Sequence, residues 1–140
     1  MKTNALRIMA VLLITGCLRG GLNLMPGPIK LYDGPDQPTG SVAVIENDRN
    51  MYMASVDSQD LRRWTHSHDV LIIHVLPGKH VIVAQPSARA GFVSVHAARI
   101  EFVAAAGHHY VVSRRILGGT GAGEWTAVFT DTTTGKELVP

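Results

Sequence analysis

Beyond Gly40 this chain holds no long helical period, and that limits what it can fold into. Apolar residues come in short runs: 41–45 (SVAVI), 51–56 (MYMASV), 70–76 (VLIIHVL), 80–84 (HVIVA), 98–104, 110–113 (YVVS) and 125–129. Turn-forming residues separate them roughly every 8 to 12 residues, the spacing of short antiparallel strands. The runs favour Val and Ile over Lys and Glu, which suits a pleated, half-buried surface. In 98–104, Ala98, Ile100, Phe102 and Ala104 share one face and Arg99 and Glu101 the other, the pattern of a strand with one wet side. Only 58–64 (SQDLRRW) reads as a helical turn, capped by Asp57 or Ser58.

Two hairpins are expected. Pro77-Gly78 lies between 70–76 and 80–84, with proline at the first and glycine at the second central position of a type II turn. In that register His74 faces Val81 and His80 faces Val75, and the two rings point to opposite sides. Gly107 turns 98–104 into the strand at 110–113, and Thr134-Gly135 closes a last turn after 125–131. The predicted fold is all-β: an antiparallel β-sandwich, Ig-like or transthyretin-like, of about seven strands. A content of 46% hydrophobic and 17% charged residues in 140 excludes a disordered tail, and a net charge of +2 is too small for a nucleic-acid footprint.

The N-terminus reads as an address. Lys2 and Arg7 precede the apolar run 8–14 (IMAVLLI), about half of the roughly 20 residues that a membrane span needs, so residues 1–16 are expected to be a secretory signal. Ile14-Thr15-Gly16-Cys17 follows. It resembles the lipobox of bacterial lipoproteins, although Ile14 stands where Leu is commonest. The resemblance implies cleavage between Gly16 and Cys17, diacylglycerol on the thiol and acylation of the new amine. Two or three chains on one residue give stable anchoring where one gives only marginal binding. The competing readings are a buried thiol and an uncleaved span, and Arg19, Gly20 and Gly21 argue against the span. Leu18, not Asp, follows the cysteine, which in the lipoproteins it resembles favours the outer membrane. Without Lys2 and Arg7 the chain is formally neutral.

Residues 18–40 contain five glycines and four prolines, and no regular period survives that density of breakers. The expected organisation is a signal at 1–16, a lipid-anchored flexible tether at 17–30 and a β-domain at 31–140. As a coil of about a dozen residues the tether spans roughly 20 Å.

The segments LYDGPDQP (31–38), SVAVI, SVD (55–57), VLPGKH (75–80), FVAAAGHHYVV (102–112) and the Asp131, Thr134, Gly135, Lys136 pattern resemble a group of small proteobacterial envelope lipoproteins. They are more loosely similar to PEGA-type and carboxypeptidase-regulatory-like sandwich modules. These motifs are turns and core positions, so the resemblance implies a fold and a location but no catalytic residue.

Chemistry-bearing residues are sparse. Seven histidines is an excess, and histidine is the commonest metal ligand. His66 and His68, in an extended loop, fall on one side, and only His108 or His109 could complete a Zn or Cu set. Ordinary surface histidines are the competing reading. Ser67, His68 and Asp69 are adjacent in sequence, whereas a working triad is assembled from separate elements. The glycines of 118–123 fit neither dinucleotide nor Walker spacing and read as a loop. Arg62, Arg63 and Trp64 form a basic-aromatic cluster suited to a partner's phosphate or carboxylate groups. The expectation is a non-catalytic interaction or structural module with no cofactor beyond the lipid on Cys17. Its partners would be the membrane and an envelope protein or cell-surface glycan; a metal or small-ligand binder using His66 and His68 is the alternative.

Overall fold

Buried residues on the longer strands organise the molecule, and two sheets share the core that they make. The computed structural model describes residues 27–64, 70–87, 96–118 and 124–138. Among them the chain is all-β: β1 (Ile29–Lys30), β2 (Ala43–Asn47), β3 (Met51–Val56), β4 (Gln59–Asp60), β5 (Ile72–Val75), β6 (Gly78–Pro86), β7 (Ala98–Ala104), β8 (His109–Leu117), β9 (Glu124–Asp131) and β10 (Lys136–Leu138), with 3-10 turns at Thr39–Ser41 and Arg62–Trp64. The six-stranded sheet runs β1-β5-β2-β8-β9-β10 and the four-stranded sheet β4-β3-β6-β7. Ile29–Lys30, at the end of the segment read as tether, pair in parallel with β5. The expected antiparallel order holds except there and at β2 with β8, which is also parallel.

The alternation read in 98–104 holds: Ile100, Phe102 and Ala104 are buried, while Arg99 and Glu101 are exposed and paired to each other at 2.8 Å. Ile45, Ile73, Val75, Val112 and Phe129 of the larger sheet meet Met51, Met53, Ile82, Ile100 and Phe102 of the smaller in one cluster. Phe102 links the sheets, 4.5 Å edge-on to Phe129 and 5.1 Å from Tyr110, whose ring stacks on Phe129 at 5.4 Å. Such pairings add to area burial roughly 1 kcal/mol each.

Neither of the first two expected hairpins forms. β5 pairs with β2, Val75 opposite Ala43, whereas β6 pairs with β3 and β7, Gly78 opposite Ala104. Pro77-Gly78, with Gly78 at φ 144°, is therefore a corner at which the chain changes sheets, and His74 and His80 are not cross-strand neighbours. β7 and β8 likewise lie in different sheets. Gly107, at φ 73°, turns the corner between them, its N–H donating to Val42 O at 2.8 Å. The reason is physical: Pro-Gly and lone-Gly chemistry fixes the local reversal, not which strand lies alongside afterwards. The turn at Thr134-Gly135 does form a hairpin, β9 with β10. The helical turn expected over 58–64 is divided between β4 and the 3-10 turn. Asp57 and Ser58, both at positive φ, make the two-residue β3–β4 loop, the type I′ geometry of a tight hairpin.

The β2–β3 corner depends on a buried side chain. Asn47 is 1% exposed. Its Nδ2 donates to Asp48 O and Met51 O, and its Oδ1 accepts the Leu71 N–H at 2.8 Å. Asn47 thus ties this corner to the chain entering β5. Replacing Asn47 with Ala strands a buried N–H and two carbonyls, so urea unfolding at neutral pH should show a loss of about 2 kcal/mol.

Candidate functional site

Three histidines of the described residues, His80, His108 and His109, each face a carboxylate of the fold. His80, on β6, places Nδ1 2.5 Å from Asp57 Oδ2 and Nε2 2.7 Å from Leu76 O, bridging the Pro77-Gly78 corner and the β3–β4 turn. Asp57 Oδ1 also accepts the Val81 N–H at 2.9 Å, so a side-chain oxygen extends the β3–β6 ladder past the end of β3. His108 Nδ1 donates to Asp131 Oδ2 at 2.8 Å, and the His108 ring stacks on Tyr110. His109 Nε2 lies 3.0 Å from Glu46 Oε2 on β2.

His108 and His109, expected as the completing ligands of a metal site, are thus adjacent in sequence but turned to two different carboxylates. His66 and His68 lie outside the described residues, as do Ser67, Asp69, Gly16 and Cys17. Among the described residues no three His, Cys, Asp or Glu side chains cluster as metal ligands would. The carboxylate partners were not readable in the sequence. Glu46 and His109 are 63 residues apart, and Asp131 is 23 from His108; only the strand pairing brings them together.

Asp131 is the most constrained of these groups. Burial pushes its carboxyl up, but hydrogen bonds from His108, from Thr134 and from the Thr133 N–H outweigh that and hold it below its ordinary value of 3.8.

Arg62, Arg63 and Trp64 do form one surface feature. Arg62 is taken up by Asp60, with Nε 2.9 Å from both carboxylate oxygens and Nη2 at 2.5 Å. The pairing lowers the Asp60 carboxyl to about 2. Arg63 instead lies over the Trp64 ring, 3.8 Å from its centroid, a cation–π contact. The 3-10 turn fixes the order, because Trp64 N–H donates to Leu61 O at 2.9 Å while buried Leu61 anchors the turn in the core. Trp64 is half-buried and forms one wall of a groove of about 310 Å³, with Gly27, Pro28, Ile29, Lys30 and Val70–Ile72 around it. A second groove, about 390 Å³, includes His96, Leu117, Glu124 and Trp125. Trp125 packs on the core from a half-buried position and also lines this groove.

No family model matches the chain, and no curated protein or solved structure is significantly similar to it.

Because the Asp131 carboxyl titrates lower folded than unfolded, it adds stability in full above about pH 3.8, and that stability is lost as pH falls through its folded value. Asp131→Asn should therefore be less stable than the parent at pH 7, and the difference should shrink at pH 2 to 3. Urea midpoints across that range test this.

Proposed function

We propose that this protein is a lipid-anchored lipoprotein of a bacterial envelope, held in the outer membrane and facing the periplasm. In this reading it is a non-catalytic interaction or structural module. The observation that carries it is the order of features at the N-terminus: Lys2 and Arg7, the apolar run 8–14, then Ile14-Thr15-Gly16-Cys17, resembling a lipobox. An all-β body in two sheets supports an antiparallel sandwich of Ig-like or transthyretin-like kind, in keeping with the resemblance to small envelope lipoproteins. The described histidine–carboxylate pairs support a structural role over catalysis, because His80, His108 and His109 each join elements distant in sequence. The partner would be an envelope protein or glycan.

Cells expressing the full chain and fed radiolabelled palmitate should label it, and Cys17→Ala should abolish the label. Equal labelling of both, or of neither, overturns the anchor.

A further inference from the structure

We infer that the groove beneath Trp64 is a bilayer-docking surface, seated on the interfacial layer of the membrane that carries the anchor. The inference rests on the lipoprotein reading and names the surface the domain turns to its own membrane. Gly27, the first described residue, lines the groove, and the chain from it back to Cys17 is short. The ten-residue step from Cys17 to Gly27 can reach about 35 Å at full extension. The groove therefore stays close to the lipid, at an effective concentration where a weak interfacial contact suffices.

The chemistry of the rim fits that occupant. Val70 and Ile72 are 36% and 41% exposed, apolar side chains that line the groove. Trp64 offers an amphipathic ring of the kind enriched where a bilayer meets water. Arg63 covers the ring with its guanidinium, a long cation able to lay its stem on apolar groups and present its charge to lipid phosphates. The neighbouring charges Arg62 and Lys30 are balanced by Asp60 and Asp36, so the surface carries little net repulsion toward a neutral or anionic bilayer. The second groove, by contrast, has Glu124 on its rim and His96 beside it.

The test uses the full chain, reconstituted in vesicles of phosphatidylethanolamine and phosphatidylglycerol that carry acyl-brominated phosphatidylcholine. The chain has two tryptophans, so Trp125→Phe reports Trp64 alone and Trp64→Phe reports Trp125 alone. Mass spectrometry of the same samples establishes whether Cys17 is acylated. The brominated lipid should quench Trp64 several-fold more strongly than Trp125. Val70→Asp with Ile72→Asp, both at exposed sites, should bring Trp64 quenching down to the Trp125 level while the protein stays vesicle-bound. Acylated protein whose Trp64 is quenched no more than Trp125, or whose quenching survives the double substitution, overturns the docking and leaves the anchor standing. Protein without acyl groups on Cys17 overturns the anchor reading itself, and this inference with it.

Discussion

Phe102 sets the relation between the two sheets. It projects from β7 of the smaller sheet against Phe129 of β9 and Tyr110 of β8 in the larger, and Tyr110 and Phe129 lie parallel beside each other. Rings of this size fill the space between layers, and the edge-on contact has a preferred geometry, so the trio sets both distance and orientation. Tyr110 adds a polar function: its hydroxyl accepts the Ala105 N–H at 2.9 Å, satisfying the backbone as the chain leaves β7 for β8.

The same task recurs at the corners and turns of the chain. A corner interrupts the ladders, and buried backbone groups there need other partners. Asn47 serves the β2–β3 corner, His80 reaches Leu76 O at the β5–β6 corner, and Asp131 accepts the Thr133 and Thr134 N–H groups where β9 turns into β10. The histidine–carboxylate pairs are thus built into the joints of the fold. Trp64 with Arg63, by contrast, stands on a 3-10 turn whose Leu61 is locked in the core.

Strand existence was largely legible. The runs at 51–56 and 98–104, the inward parity of Ile100 and Phe102 and the closing turn at Gly135 all follow from local pattern, because a two-residue period reports which side of a pleat is wet. The pairing of strands was not legible. Pro77-Gly78 and Gly107 look like hairpin turns, yet each carries the chain to the other sheet, and partners such as β2 for β8 and β3 for β6 are not neighbours in sequence. Of the candidate site residues, the nearness of Arg62, Arg63 and Trp64 could be read from adjacency alone. That Arg62 is taken by Asp60 while Arg63 rests on the indole could not.

By itself the sequence determined an all-β body, its inward faces and its turn positions, because these depend on near neighbours and on the side-chain period. Only the tertiary structure decided which runs became neighbours, which carboxylate each histidine meets and that Trp64 shares a groove with Gly27 and Ile29. Those contacts join residues tens of positions apart, and their free energy arises only when two sheets close on one core, which no local pattern encodes.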